Sequence, residues 1–566
     1  MLLFNPHNYQ REHADEKSRK LVEKTIAFFE KKGLKKIKED DQAMIWYEDF
    51  LDFIKEEKVF ATMLTPSGYG AADSRWDMGR IGTFNEILAF YGLCYWYTWQ
   101  VTILGLGPIW MGNNEAIKHQ TAQLLQDGGI FAFGLSEKDH GADLYSSEVM
   151  LHPQPDGNYL ARGTKYYIGN GNCAALVSTF GKIADTGEYV FFVVKSDHPN
   201  YECVKKIDTS GVRQAYVAEY CLHDYPICRE DILSVGPLAW DSSLSTVNIG
   251  KFELGFAAIG IATHCFYEAL NHAAKRSLYG QFVTDFPHVR KTFTEAYARL
   301  NAAKLFALRA GDYLRSASDN DRRYLLFNPI VKMKVTSQGE KVVNQLHDII
   351  AAKGFEQDTY FEMALRDIGM LPKLEGTEHV NMALNVKFIR NYFFEPIDYP
   401  EMPRRNDIAD DSYLFRQFTG GLAKIRFPDY RLAYQGFDSE NIGIFREQIE
   451  LFRKLLIQAP PTPEQMGNID YMLAAGELFT LVVYAQLILE NSRIYQPGSD
   501  LLEQIFDFLI RDYSAFALQM ILNHNNLPEQ EEIYRSMIKK PAQDQSNFEQ
   551  VWKQVIALED TYRMAE

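Results

Sequence analysis

"EVMLHPQPDGNYLARGTKYYIG", residues 148–169, breaks the texture of the chain around it. Two strand-like runs flank Asp156-Gly157-Asn158. Residues of these types accept the left-handed backbone of a tight turn, so the stretch predicts a β-hairpin. Downstream, "EYVFFVVK" (188–195) is a short run rich in Val and Phe, and "SGVRQAYVAEYCLHDYPIC" (210–228) carries strand-like patches between turns. A β-domain is expected over 129–243.

On both sides the pattern is helical. In "DEKSRKLVEKTIAFFEKKG" (15–33), Val22, Ile26 and Phe29 recur at helical spacing, and Gly33 suits a stop. "IWYEDFLDFIKEEKVF" and "GTFNEILAFYGLCYWYTWQV" continue apolar stripes that read as core-facing helices. After the β-domain, "KFELGFAAIGIATHCFYEALNHAAKRSLYG" (251–280) is rich in Ala and Gly, which lets helices pack closely. "FTEAYARLNAAKLFALRAGDYLR" and "IVKMKVTSQGEKVVNQLHDIIAAKGF" follow, the pattern of an antiparallel bundle. The polar, proline-punctuated "EPIDYPEMPRRNDIADD" (395–411) precedes more helices, broken once by "IQAPPTPEQ". The expected fold is mainly α with a central β-domain. Its parts are an N-terminal helical domain (1–128), a middle β-domain (129–243), a helical bundle (244–395) and an extra C-terminal helical region (396–566).

A chain of 566 residues is too long for one ordinary core. Its 46% hydrophobic and 24% charged residues are a globular composition. The net charge of −16 argues against nucleic-acid binding. The six cysteines form no CxxC pair and fit a reduced, cytoplasmic protein. The opening residues turn charged too early for a secretory signal, and no uncharged apolar run is long enough for a transmembrane segment. No metal-ligand motif stands out, so no metal is expected.

Four stretches carry the chemistry. "FAFGLSEKDHGADL" (131–144) resembles the pattern of the acyl-CoA dehydrogenase family in which an apolar strand runs into Thr/Ser-Glu-Pro and then Gly-Ser-Asp. "GTKYYIGNG" (163–171) resembles its G-x-K-x-W-I-T-N-G. "KRSLYG" (275–280) resembles its R-x-x-F-G. "ALRDIGMLPKLEGTEHV" (364–380) keeps its Arg-Asp, seven intervening residues, then Glu-Gly-Thr. Each is weak alone. Four in order, on a helix–β–helix layout, point to one family over residues 15–395, with the C-terminal region outside it as in the longer, oxidase-like members.

The resemblance implies FAD-dependent α,β-dehydrogenation of an acyl thioester, on coenzyme A or a carrier protein, giving the trans-2-enoyl product. Glu375 stands at the base position. Such a base needs a dry pocket, because burial raises a carboxyl pKa toward a useful range. Gly376 would let the backbone approach the thioester. Some relatives place the base on the helix before R-x-x-F-G; that position is Gly250 here, which strengthens the reading of Glu375. By the same resemblance Phe133, Leu135, Ser136, Tyr167 and Gly169 line the flavin, Thr377 contacts it, and Arg276, Tyr279 and Asp348 reach the FAD of a neighbouring subunit in a homodimer or homotetramer. Ala142 stands where relatives have a Ser that contacts the pantetheine arm.

The departures are Tyr167 for the usual Trp, Gly169 for a Thr whose hydroxyl supports the flavin, Asp348 for Gln, and Lys138-Asp139-His140 for small and proline residues. The electron acceptor, an electron-transferring flavoprotein or oxygen, stays open, so a dehydrogenase and an oxidase are both carried. A noncatalytic flavin-binding or scaffold role is the third reading, with the retained Glu375 against it.

Overall fold

The computed structural model describes residues 2–416 and 420–565. The N-terminal third is helical: α1 (Glu16–Gln42), α2 (Glu48–Glu56), α3 (Val59–Leu64), α4 (Met78–Tyr91), α5 (Leu93–Met111) and α6 (Glu115–Gln126). Gly33 does interrupt α1, with φ 73°, but the chain re-enters helix at once and continues to Gln42. The expected stop is a kink, because Leu34 spends its freed N–H on the carbonyl of Ala565 at 2.8 Å. Asp77 starts α4 by accepting from the N–H groups of Gly79 and Arg80. Helix α5 is buried along its whole length. It therefore has no polar face; it lies between the sheet and the helical bundle.

The β-domain comprises β1 (Phe131–Gly134), β2 (Met150–Pro153), β3 (Tyr159–Gly169), β4 (Leu176–Ile183), β5 (Tyr189–Val194), β6 (Tyr201–Lys206), β7 (Val217–Ile227) and β8 (Ile232–Val235). The strand order is β6-β7-β3-β2-β4-β5-β8, with β1 added in parallel to β4. The predicted hairpin is β2–β3, paired from Met150↔Arg162 to Pro153↔Tyr159, with Gly157 at φ 83° in its turn. Gly105 lets α5 lie directly on β1, since a Cβ there would sit 2.7 Å from the backbone of Ala132.

Helix α7 (Pro237–Lys275) is the spine of the bundle. It begins at Gly236-Pro237, so the boundary expected at 243 falls inside it. A two-stranded hairpin, β9 (Ser277–Leu278) and β10 (Gln281–Phe282), leads to α8 (Pro287–Arg315). Next come α9 (Tyr324–Ile330), a π turn at Val331–Val335, α10 (Thr336–Ile350), α11 (Tyr360–Ile368), α12 (Glu378–Asn385) and α13 (Ile389–Phe394). Gly260 brings α7 against α4, where a Cβ would meet the Glu86 carbonyl.

The C-terminal region adds α14 (Glu440–Gln458), α15 (Pro463–Gly467), α16 (Ile469–Tyr495), α17 (Ser499–Asn523), α18 (Pro528–Met537) and α19 (Gln545–Ile556). It docks on the bundle through ion pairs. Arg299 grips Asp512 with two bonds of 2.7 and 3.0 Å, Arg309 meets Glu490 at 2.9 Å, and Lys334 meets Glu477 at 3.0 Å. Helix α16 is long and apolar enough to cross a bilayer, but it is mostly buried in this fold, against α8, α12 and α17.

Candidate active site

The base loop, residues 372–377, joins α11 to α12. Glu375 has φ 54° and Gly376 φ 84°. A left-handed pair turns the chain sharply, and the Glu375 carboxyl is carried inward instead of along the start of α12. A glutamate at the start of a helix can instead lie exposed, where it favours the helix dipole; this geometry is different. The residue keeps some surface, but a Cβ placed on Gly250 of α7 would lie 3.5 Å from the Glu375 carboxyl carbon. The same point is 2.8 Å from Leu104 and 2.9 Å from the Gln100 amide, both of α5. The missing side chain at 250 is thus the space the Glu375 carboxyl faces.

Burial raises the Glu375 pKa to about 7, opposed by the positive charges of Lys251 and Lys332. Desolvation wins over two cations because the charged form loses more hydration than these neighbours return. Burial likewise lowers Lys251 and Lys332 to about 8, and Glu375 pulls against the fall in both. Glu253, fully buried with neither carboxyl oxygen bonded, is pushed well above its usual range by burial and then by Glu375.

Two devices hold the loop. Lys332, turned inward on the π turn, donates to the carbonyl of Pro372 at 2.6 Å and to that of Gly376. It therefore clamps both flanks of Glu375. At the other end, Asp367 accepts from the Val212 N–H at 2.8 Å, and Arg366 pairs with Glu362 at 2.6 Å and with Asp41. Arg366-Asp367 ties α11 to the β-domain and to α1. The motif's fixed spacing measures the distance from this anchor to the base.

The predicted flavin-lining residues form one wall. Ser136 donates its Oγ to the Tyr166 carbonyl at 2.7 Å and accepts the Tyr166 N–H at 3.0 Å. Buried Lys165 donates to the Leu135 carbonyl at 2.9 Å and to Glu137 at 2.8 Å. The Lys of the second motif thereby locks the loop of the first. Phe133 is half-buried and stacks on Phe191 at 6.0 Å. Tyr167, at φ 64°, is 60% exposed. Gly169 is buried at the end of β3. Thr377 is exposed and caps α12 through its backbone position alone.

The other predicted residues lie elsewhere. The helical residues 251–275 separate Gly250 from Arg276, which at a rise of ~1.5 Å per residue puts them about 39 Å apart. Arg276 has no side-chain partner among the described residues, and Tyr279 projects from the β9–β10 turn, 97% exposed. Asp348 is exposed near the end of α10, and Ala142 is exposed on the loop before β2. Glu137, His140 and Glu148 bring ligand atoms within 4.8 Å of one another, a grouping the sequence did not suggest. Glu137 is already bonded by Lys165, Ser147 and the Glu148 N–H, which makes it a structural carboxylate.

Sequence reasoning missed Tyr97, Gln100, Lys251, Glu253 and Lys332. A lysine inside "IVKMKV" was a readable signal. Tyr97, Gln100 and Leu104 share one face of α5, but on a wholly buried helix no periodicity marks that face.

Comparison with known proteins places this arrangement. The family model described as "Acyl-CoA dehydrogenase, C-terminal domain" matches residues 240–389. The chain has the acyl-CoA dehydrogenase fold. An acyl-CoA dehydrogenase from Bacillus anthracis, solved in complex with FAD, superposes with a TM-score of 0.76 at 14% identity, covering 98% of this chain and 96% of that one. Butyryl-CoA dehydrogenase from Megasphaera elsdenii superposes with a TM-score of 0.61 at 20% identity, covering 66% of this chain and 98% of its own. The extra C-terminal helices account for the difference in coverage. In sequence, the short-chain specific acyl-CoA dehydrogenase of M. elsdenii is 22% identical over 362 residues, 63% of this chain and 94% of that protein. The resemblance read from the four motifs is borne out.

Proposed function

We propose that this chain is an FAD-dependent dehydrogenase that removes two hydrogens from the α and β carbons of an acyl thioester, with Glu375 as the base. The observation that carries this reading is the half-buried Glu375 carboxyl, facing the bare backbone of Gly250, with its pKa raised to about 7. A carboxylate there can take the α proton of a thioester near neutral pH, and Lys251 and Lys332 hold it partly in the charged form that works. The residues fit the cofactor: a wall locked by Lys165–Glu137 ends at the bare strand end of Gly169, and Arg276 offers a guanidinium with no side-chain partner among the described residues. FAD, when bound, supplies the two-electron acceptor for the hydride that leaves the β carbon. Proton and hydride together leave a carbon–carbon double bond, so atoms and electrons balance.

The span between Gly250 and Arg276 supports assembly from more than one copy. Arg276, Tyr279 and Asp348 would then serve the cofactor of a second subunit, as a homodimer or homotetramer. Coenzyme A is the carrier that the named relatives favour. The exposed loop around Ala142, with Lys138-Asp139-His140, leaves room for a carrier-protein thioester as well. The unpaired cysteines are in keeping with a reducing, cytoplasmic setting.

The test is to mix flavin-loaded protein, without oxygen, with a panel of acyl-CoAs and acyl-carrier proteins and follow bleaching of the flavin band. Bleaching by one class identifies the carrier. Rapid peroxide formation on admitting air would make the enzyme an oxidase; recovery only with an electron-transferring flavoprotein makes it a dehydrogenase. Protein that binds no flavin under any condition would revive the scaffold reading.

A further inference from the structure

Gly169 ends β3 at the wall opposite Glu375, and it is glycine for a local reason. A Cβ there would lie 2.8 Å from the Tyr97 ring, 3.0 Å from the Tyr97 hydroxyl and 2.7 Å from Val101. All are below ordinary contact, and two of them belong to a ring packed on a buried helix that cannot swing aside. Tyr97 of α5 therefore fills the volume that a side chain at 169 would need. Its ring is 7% exposed. Its hydroxyl makes no hydrogen bond to any described residue, and the oxygen keeps some open surface. It reaches the space between the strand end and the base, close enough that Glu375 adds to the burial that raises its pKa.

The ring is buried, and its O–H, without a protein acceptor, opens onto that space. Such a group is kept where a ligand completes it. Its neighbours do not take that bond among the described residues: Gly169 has no side chain, the Ser136 hydroxyl is spent on the Tyr166 carbonyl, and Gln100, whose amide N–H donates to the Gly250 carbonyl at 3.3 Å, leaves its oxygen unbonded. We propose that the Tyr97 hydroxyl is the hydrogen-bond donor to the polar edge of the flavin ring bound against Gly169, delivered from helix α5 in place of a side chain on the strand. The assignment rests on the functional reading above and adds a cofactor-contacting residue to it. It also explains why 97 and 169 are coupled: one large residue and one without a side chain share a single space.

The test uses the flavin-loaded enzyme and reads the cofactor directly. Tyr97→Phe removes one oxygen and keeps the ring, so the fold and flavin content stay as in wild type. Without substrate, its flavin absorption band and its midpoint potential are expected to shift, and bleaching by substrate to slow about tenfold, the factor for one hydrogen bond of ~1.4 kcal/mol. Tyr97→Ala combined with Gly169→Thr returns a hydroxyl from the strand, and its spectrum should move back toward wild type, whereas Tyr97→Ala alone should not. Gly169→Thr alone meets Tyr97 and should lose flavin. An unchanged spectrum and potential in Tyr97→Phe overturn the assignment, even if the KM for thioester changes. Wild-type protein that carries no flavin overturns the functional reading and this one together; a flavoprotein indifferent to Tyr97→Phe overturns this one alone.

Discussion

The base loop and the β9–β10 hairpin are both short turns at the end of bundle helices, and both carry residues left-handed at a non-glycine position: Glu375 at φ 54° and Tyr279 at φ 52°. They are built in opposite ways. The loop is clamped from within by Lys332 on two carbonyls and anchored by Arg366-Asp367, and its key side chain points inward. The hairpin is exposed, with Tyr279 in solvent and Arg276 without a side-chain partner among the described residues. Strained backbone persists where its surroundings over-determine it. For the loop those surroundings lie in the same chain. For the hairpin the described residues supply no such surroundings. One chain thus contains a turn fixed from within, at the proposed base, and a turn left open, at the proposed cofactor contact.

The comparison breaks first at Glu375. Glu375→Gln keeps shape and loses the proton acceptor, so bleaching by a good substrate should fall by about 10²–10⁴-fold or more while thioester binding survives. Stopped-flow reduction and a binding titration separate the two. A variant that reduces flavin at the wild-type rate ends the case for this base. In the wild type the reduction rate should rise with pH and level off above about 7, because the working form is the carboxylate. The stability sign is opposite. The folded pKa lies above the unfolded ~4.5, so the proton's stabilising contribution is present below that value and lost as pH rises through about 7. Glu375→Gln should melt higher than wild type at pH 8, with the gap closing toward pH 4.5.

Lys332 tests whether the loop's rigidity is internal. Lys332→Met removes a cation beside Glu375 and leaves the Pro372 and Gly376 carbonyls without their donor. The midpoint of the pH–rate profile should move to higher pH, and reduction at pH 7 should slow about tenfold. An unmoved midpoint would mean that the lysine charge does not reach the base. The hairpin should be silent in this assay.

How much of this was legible in sequence follows the same division. Hairpin 148–169 and the helical flanks were readable because each rests on local pattern, turn chemistry and periodicity; the proposed base was singled out by its spacing from Arg366-Asp367, and the variants above test its role. The kink at Gly33 was not, since what restarts the helix is a bond to Ala565, more than five hundred residues away. The charged group around Glu375 was not either. Lys251 and Glu253 sit on one helix, Lys332 on another, and Gln100 on a third. Tyr97 was hidden by its helix being apolar on every side, and its meaning appears only beside Gly169. Position gives a residue type; convergence of elements gives its role.

Arg276 probes the opposite region. Arg276→Ala should leave the pH profile untouched, because the charges that act on Glu375 are those of Lys251 and Lys332. It should weaken FAD retention several-fold, with an effect that shrinks as salt rises, as expected for a guanidinium–phosphate contact. Gel filtration with absorbance at the flavin band reads both. Retention equal to wild type at low salt would remove Arg276 from the cofactor site.

The smallest effect is the most discriminating. Tyr279-Gly280 form a two-residue turn between the paired Leu278 and Gln281, with φ of 52° and 80°. A turn left-handed at both central residues favours Asn-Gly, and a tyrosine there is held at a local cost. Tyr279→Asn should therefore leave the isolated fold unchanged or slightly more stable, by a few tenths of a kcal/mol, on the usual scale of turn propensity. If the ring is present to bury itself against another subunit, the same substitution should weaken assembly or flavin retention two- to fivefold at low protein concentration. Stability up and assembly down separates an interface residue from a structural one. Stability up with assembly unchanged would make Tyr279 an ornament of its own turn, and the hairpin would then owe its cofactor role to Arg276 alone.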